Sequence, residues 1–234
     1  MRLFQRLDPR TRVVTVVAST LIVVSTPRGV LEPFAAYFAL CLLLILTDRV
    51  PVSRIGWRCL AASPFILLAS GLLALQDGVT LPAIRASAPA AVSVALKGYA
   101  AALLLAFLTL STALSELLSA LRRMGSPDSL NLILSMMYRY TNLLSEEYAR
   151  MERARACRTV RPLGSQVYEV YGRQLGELIL RSWDRAERVH TAMLARGFTG
   201  TWPESEKRSL GVVDFVFFAM FGGLFALARA LPLR

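Results

Sequence analysis

Residues 59–75 read CLAASPFILLASGLLAL, a run of 17 residues that contains no charged side chain. A helix needs about 20 mostly apolar residues to cross the hydrocarbon core of a membrane, and this run approaches that length. The whole chain of 234 residues is 55% hydrophobic, which is too apolar for an ordinary soluble domain. The composition therefore predicts an all-α, polytopic membrane protein.

Four further apolar runs lie on both sides of this segment. They cover residues 13–24, 30–47, 90–114 and 211–231. The first run has only 12 residues and is short for a membrane span, so we expect it to pair with the second in a tight helical hairpin. The sequence thus predicts about four to five transmembrane helices.

Basic residues are concentrated in alternate connecting segments. The N-terminal segment and the connector before residue 59 carry Arg2, Arg6, Arg10, Arg12, Arg49, Arg54 and Arg58, whereas the alternate loops carry only Arg28 and Arg85. Cytoplasmic loops of membrane proteins are enriched in arginine and lysine, which predicts a cytoplasmic N-terminus and, after five crossings, a C-terminus outside. This bias and a cytosolic partner surface explain the net charge of +11 better than nucleic-acid binding does.

Residues 115–209 differ from the apolar segments around them. They hold 15 of the 27 basic and 11 of the 16 acidic residues, yet their apolar residues recur at three- and four-residue spacing. This pattern predicts two long amphipathic helices, the first starting with Ser126 as N-cap and Pro127 at the first helical position. We therefore predict N-terminal transmembrane helices at 1–114, a cytoplasmic domain at 115–209 and a C-terminal transmembrane helix at 210–234.

The residue patterns of common active sites and metal sites are missing. No GxxxxGK[ST] phosphate loop occurs, and the only histidine, His190, has no second metal ligand among its sequence neighbours. The cysteines Cys41, Cys59 and Cys157 are far apart and form no CxxC pair. We predict no catalytic residue, no metal site and no cofactor in this chain.

Each predicted amphipathic helix ends in an arginine between small or turn-favouring residues. The second helix ends in Ala195-Arg196-Gly197, where Gly197 is predicted to end the helix in the left-handed conformation. No carboxylate lies within four residues of Arg196. The first ends in Cys157-Arg158-Thr159, with Ala154-Arg155-Ala156 as an alternative register. Favourable interaction with the helix macrodipole explains one such arginine, but two matching ends favour docking into a partner protein.

Two stretches resemble a known family in the order of their motifs. They are LRRMGSPDSLNLILSMMYRYTNLLSEEYARMERARACR at 121–158 and RSWDRAERVHTAMLARGFTG at 181–200. Both are similar to the transmembrane T component of energy-coupling factor (ECF) transporters, and most of all to its CbiQ-like branch, which serves cobalt uptake. The similarity covers about residues 115–200.

The resemblance implies a non-catalytic energy-coupling subunit in the bacterial cytoplasmic (inner) membrane. In that family, two cytoplasmic coupling helices end in arginine motifs that dock on two ABC-type ATPase subunits, and these subunits bind ATP and magnesium. Their motion reaches a separate substrate-binding membrane subunit, which would carry the metal site. The implied docking residues are Cys157, Arg158, Thr159, Ala195, Arg196 and Gly197; the first motif departs from Ala-Arg-Gly, and Arg158 is favoured over Arg155.

Three alternatives remain open from the sequence alone. A T component for nickel or for a vitamin would have a similar sequence. A membrane enzyme acting on a lipid phosphate could use Arg153, Arg155 and Arg158, but the carboxylates Glu146, Glu147 and Glu152 have no partner histidine. A membrane-surface scaffold would bind anionic lipid through its basic helices, and this binding would weaken with salt.

Overall fold

The computed structural model describes residues 7–27, 30–48, 50–76, 81–158, 167–200 and 211–230, with the backbone alone for 81–86. These residues form eight α-helices and contain no β-strand, which confirms the all-α prediction. The helices are α1 (Pro9–Val24), α2 (Glu32–Asp48), α3 (Val52–Ala74), α4 (Leu81–Ser111), α5 (Leu114–Arg123), α6 (Asp128–Arg158), α7 (Val167–Ala195) and α8 (Val212–Ala230).

Of the eight described helices, three are long and apolar enough to cross a membrane. They are α3, the Ser87–Ser111 part of α4, and α8. Helices α1 and α2 have 16 and 17 residues, so both are short for a span, although the sequence predicted this only for the first run. Together with the two polar helices α6 and α7, this architecture confirms a polytopic membrane protein with additional amphipathic helices.

Two helices begin earlier than their apolar runs. Helix α3 starts at Val52, so Arg54 and Arg58 belong to its first turns and not to a separate connector as predicted. Helix α4 starts at Leu81, nine positions before the predicted Ala90, and contains Pro89. An apolar run marks only the part of a helix that can lie in the hydrocarbon core of the membrane. The hydrogen-bonded helical backbone extends beyond it into the polar interface.

The chain divides into two compact units. The first consists of Met1–Met124 and Glu206–Arg234, and the second is Gly125–Ser205. Helix α5 therefore belongs to the same unit as the apolar helices. The predicted boundary at 114/115 concerns which residues face the membrane and which the cytoplasm, and it remains a prediction.

The core of the first unit combines aliphatic side chains with aromatic side chains from α2, α4 and α8. Phe34, Tyr37, Phe107 and Phe225 are all buried. The rings of Tyr37 and Phe225 stack with their centres 5.5 Å apart, and the Tyr37 hydroxyl lies 3.2 Å from the Thr26 hydroxyl. By contrast, only 6% of the apolar stretch of α3 is buried, so this helix presents side chains such as Phe65 outward, as a lipid-facing helix does.

A buried polar network joins the starts of α1 and α8 to α5. Asp8 caps α1 by accepting from the Arg10 N–H, and the backbone N–H of Asp8 donates to the Asp214 carboxylate at 2.7 Å. Arg12, with no exposed surface, donates to Glu116 of α5 at 2.7 Å. Helices α1 and α8 consequently begin at the same end of the bundle.

Candidate docking site

Helices α6 and α7 of the second unit pack against each other as an antiparallel pair. Near the middle, Arg181 of α7 donates to Glu147 of α6 at 3.1 Å. Nearer the end of α6, Arg155 contacts Tyr171, which is close to the start of α7. Because later residues of α6 meet earlier residues of α7, the two helices run in opposite directions.

The start of α6 differs from the prediction in its cap. The structure begins the helix at Asp128, and the Ser126 hydroxyl is buried without a hydrogen-bond partner among the described residues. The side-chain amide of Asn131 instead donates to the carbonyls of Ser126 and Pro127, at 2.9 and 3.0 Å. Ser126 is thus not the N-cap, because its hydroxyl accepts no N–H from the described first turn, and the Asn131 amide binds the carbonyls before the helix and not its free N–H groups.

An apolar groove of about 650 Å³ lies between α6 and α7. Its floor and walls include Met136, Tyr140, Leu144, Val189, Met193 and Phe198. These residues belong to the two apolar stripes predicted from the sequence, apart from Phe198, which follows α7. Several neighbours are strongly exposed, among them Met137 at 61% and Ile133 at 55%. Exposed apolar surface of this kind marks a contact with another protein or with lipid.

Helix α7 ends in a Schellman turn that presents Arg196. Gly197 has φ +78°, the Gly197 N–H donates to the Leu194 carbonyl at 2.9 Å, and the Phe198 N–H donates to the Met193 carbonyl at 3.0 Å. This is the hydrogen-bond pattern of a glycine-terminated helix, and it confirms the predicted left-handed Gly197. Arg196 itself is exposed and makes no side-chain hydrogen bond to another described residue.

The two registers of the first arginine motif differ in their surroundings. Cys157 and Arg158 are exposed at the last turn of α6, and Arg158 has no ion pair to another described residue. Thr159, the last residue of that motif, lies outside the described residues. In the alternative register, Ala154 and Ala156 are exposed, but the Arg155 guanidinium lies 5.1 Å from the centre of the Tyr171 ring.

Arg155 is held by a carboxylate as well as by the aromatic ring. Its Nε donates to Glu152 Oε2 at 3.1 Å, its Nη2 also donates to Glu152, and its Nη2 lies 3.4 Å from the Tyr171 hydroxyl. The Arg155 hydrogen bond holds the pKa of Glu152 below its ordinary value, and Glu152 in turn raises the pKa of Arg155. Arg155 thus stabilises the helix pair and is less available to a partner than Arg158.

The second link between the helices is also electrostatic. Arg181 donates to Glu177 at 2.9 Å on its own helix and to Glu147 across the pair, and these hydrogen bonds raise its pKa, with Glu177 as the largest cause. Glu147 also accepts from Arg150 at 2.8 Å. Of these contacts only Arg181–Glu147 joins the two helices, and its separation of 34 positions does not follow from the helical spacing of charges in the sequence.

Arg158 and Arg196 lie at opposite ends of the helix pair. Leu132 lines the groove together with Phe198, two residues after Arg196. From Leu132 to Arg158 the α6 backbone advances 1.5 Å per residue, so the two arginines are about 40 Å apart. One small binding pocket cannot hold both side chains at once.

Two of the three carboxylates that a lipid-phosphate enzyme could use are engaged in ion pairs. Glu147 and Glu152 form the ion pairs described above, and Arg153 is exposed. Among the described residues there is no group of three or more histidine, cysteine or carboxylate side chains able to hold a metal ion. His190 lines the apolar groove beside Val189 and Met193.

The chain matches one protein family and is similar in sequence to several individual proteins. Residues 2–208 match the family described as "Cobalt transport protein", CbiQ. The chain is 29% identical to the cobalt transport protein CbiQ of Rhodobacter capsulatus over 174 residues, which is 70% of each chain. It is 31% identical to the nickel permease LarQ of Lactiplantibacillus plantarum over 107 residues, and 30% identical to an uncharacterized protein of Methanocaldococcus jannaschii over 94 residues. These two matches cover 46% and 40% of this chain but only 39% and 35% of those relatives.

Proposed function

The chain belongs to the cobalt transport protein family CbiQ, and from this premise we propose that it is the energy-coupling transmembrane subunit of an ECF-type ABC importer. In this role it has no catalytic residue of its own. It lies in the bacterial inner membrane with a cytoplasmic N-terminus, and it transmits the motion of two ATPase subunits to a substrate-binding membrane subunit. ATP and magnesium are bound by the ATPases.

The observation that carries this proposal is the placement of Arg158 and Arg196. Both are exposed, each stands at the end of a long helix, and the antiparallel pairing of α6 and α7 separates them by about 40 Å. Two separate arginines suit two copies of one partner, each receiving one guanidinium at a carboxylate or at backbone carbonyls. A phosphate-binding enzyme would instead bring its arginines together.

In the proposed mechanism the two helices move together as one rigid unit and so transmit the motion of the ATPases. Glu147–Arg181 and Arg155–Tyr171 join the two helices at two points, so displacement of either arginine end moves both helices. The apolar groove that contains Met136 and Met193 is the proposed contact for the membrane subunit. Methionine suits such a contact because its flexible side chain adapts as the surfaces slide.

We propose cobalt as the transported ion, because the similarity to the Rhodobacter capsulatus cobalt transport protein extends over 70% of the chain. The similarity to a nickel permease favours nickel as the second candidate. Both ions prefer nitrogen, sulfur and oxygen ligands, and the clusters that would supply them are not found among the described residues of this chain. We propose that the substrate-binding partner subunit carries the metal site.

The test is to count ATPase subunits bound to single and double arginine variants. The chain is co-expressed with its partner subunits, purified without nucleotide in mild detergent, and weighed by native mass spectrometry. We expect two ATPase copies for the wild type, one for Arg158→Ala or Arg196→Ala, and none for the double variant. Arg139→Ala, which removes an exposed arginine from α6, serves as the matched control and should retain both. Two copies retained by the double variant would refute the docking assignment.

The substrate requires a separate measurement. The complete transporter is reconstituted in vesicles, and ATP-dependent uptake of radioactive cobalt and nickel is followed with each metal as competitor of the other. We expect cobalt uptake that excess nickel inhibits only weakly. Preferred uptake of nickel would show that nickel, not cobalt, is the transported ion, and it would leave the docking role of the arginines unchanged. If neither metal is taken up, both candidate substrates are rejected.

A further inference from the structure

A cleft of about 440 Å³ opens in the first unit, where α1, the end of α5 and the start of α8 meet. Its walls combine two arginines with apolar side chains: Arg10, Arg123, Val14, Met124, Phe215 and Phe218. None of these residues belongs to the helix pair that carries the proposed docking arginines. The cleft is therefore a feature that energy coupling does not explain.

The polar side of the cleft contains a cation that lacks a hydrogen-bond acceptor. Arg10 Nε is buried and has no hydrogen-bond partner among the described residues. Asp214, the nearby acid in the cleft wall, already accepts from the backbone N–H groups of Asp8 and Gly211, at 2.7 and 2.9 Å. A buried donor without an acceptor is costly, so the Arg10 guanidinium is suited to an anion from outside the chain.

A second guanidinium faces the same space. Arg123, the last residue of α5, lines the cleft and is 10% exposed, and its Nη1 lies 3.5 Å from Asp8 Oδ2. A guanidinium carries five N–H donors, so an arginine that pairs with Asp8 can also contact a second anion. Two arginines on neighbouring helices can hold the oxygens of one phosphate group.

The apolar side of the cleft continues along a membrane-spanning helix. Phe215 on the first turn of α8 is 75% exposed, and Met124 is 52% exposed. Helix α8 is long and apolar enough to cross a membrane, so its first turn stands near the boundary between hydrocarbon and headgroups. A free phosphate ion gains nothing from these side chains, whereas the acyl chains of a lipid would cover them.

We propose that this cleft binds an anionic phospholipid of the leaflet at which α1 and α8 begin. The headgroup phosphate lies at Arg10 and Arg123, and the acyl chains run along Phe215 and Phe218. A bound lipid joins α1, α5 and α8 at the end of the bundle where the polar network already connects them. Basic pockets between membrane helices are known to bind lipid headgroups in this way.

The test measures how anionic lipid stabilises the full chain. The purified protein is titrated in detergent with phosphatidylglycerol, with phosphatidylcholine and with inorganic phosphate, and the midpoint of thermal unfolding is recorded. We expect phosphatidylglycerol to raise the midpoint well above the effect of either other probe. In Arg10→Gln the half-saturating lipid concentration should rise about fivefold, which is the contribution of one arginine near an anionic surface. Arg139→Gln, which removes an exposed charge from α6, is the control and should titrate like the wild type.

Two further variants keep the result interpretable if Arg10→Gln folds poorly. Arg10→Lys retains the charge and should bind phosphatidylglycerol more tightly than Arg10→Gln, and Phe215→Ser should weaken binding of long-chain but not of short-chain lipid. If inorganic phosphate stabilises the chain as much as phosphatidylglycerol does, the ligand is a free anion and not a lipid, and the proposal is overturned. Equal stabilisation by both lipids, or an unchanged titration of the Arg10 and Phe215 variants, would also overturn it.

Discussion

The Arg155 guanidinium lies 5.1 Å from the centre of the Tyr171 ring and pairs with Glu152 one turn earlier on its own helix. A cation over an aromatic face contributes about 0.5–1 kcal/mol at a partly exposed site. This relationship distinguishes the arginines of the two registers that the sequence offered for the first motif. Arg155 fastens α6 to α7, while Arg158, three positions later, remains exposed.

The first prediction separates the roles of these two arginines. We expect Arg155→Ala to lower the unfolding midpoint of the purified chain while two ATPase subunits stay bound. Arg158→Ala should leave the midpoint unchanged and remove one ATPase subunit, because loss of a central interface arginine costs about 2 kcal/mol or more. If Arg155→Ala removes an ATPase at unaltered stability, the register Ala154-Arg155-Ala156 is the docking motif.

The second prediction concerns Gly197, whose φ of +78° is unfavourable for any side chain. A Cβ at this position meets nothing within 4 Å, so the cost of Gly197→Ala is purely conformational, about 1–2 kcal/mol. We expect a lower stability in chemical unfolding and weaker ATPase binding, because the turn that orients Arg196 and Phe198 is disturbed. Gly172→Ala on α7 also meets open space but is helical, so it should stabilise the chain by about 0.5–1 kcal/mol. Equal effects of the two substitutions would argue against the turn.

The third prediction concerns the ion pair between Glu147 and Arg181. Both side chains retain solvent access, with exposures of 14% and 51%, so the coupling energy from a double-alanine cycle should be about 0.2–1 kcal/mol. Added salt should reduce it, because exposed charges are screened. A coupling energy that does not change between low and high salt would indicate that packing, not charge, joins the helices.

The fourth prediction is the pH dependence of the helix pair. Because the folded pKa of Glu152 lies below its ordinary value, this carboxylate stabilises the folded chain at pH above the pKa of an unfolded glutamate. The stabilisation is lost as pH falls through the lower, folded pKa. We expect Glu152→Gln to narrow the stability difference between neutral and acidic pH, as measured by thermal unfolding. A stability difference that is the same in Glu152→Gln as in the wild type would show that this carboxylate does not cause the pH dependence.

The fifth prediction concerns Arg12, which has no exposed surface although it belongs to the basic N-terminal segment. It donates to the Leu7 carbonyl at 3.1 Å and to Glu116 at 2.7 Å. Arg12→Ala should lower the free energy of unfolding by about 2 kcal/mol, because the buried Leu7 carbonyl loses its donor, whereas Glu116 is 44% exposed and can be solvated. Arg139→Ala should change it by less than about 0.5 kcal/mol. If both substitutions change the free energy of unfolding by similarly small amounts, Arg12 contributes to the orientation of the chain in the membrane and not to the stability of the fold.

The amino-acid sequence by itself determined the class of the protein, its helical composition and its family. Apolar runs, helical periodicity and a glycine stop depend on residues close together in the chain, so their physical consequences can be derived locally. The resemblance of 115–200 to a T component was confirmed as membership of the CbiQ family. The left-handed Gly197 was confirmed for the same reason, since it needs only the turn that follows Met193.

Only the tertiary structure decided which arginines are buried, which pair with a neighbour and which remain exposed. Arg12 meets Glu116 across 104 positions, and Asp8 meets Asp214 across 206, so no local pattern reveals either contact. The antiparallel pairing of α6 and α7 likewise set the separation of Arg158 from Arg196. The free energy of a charged side chain depends on the partners and solvent around it, and these are brought together only when distant segments pack.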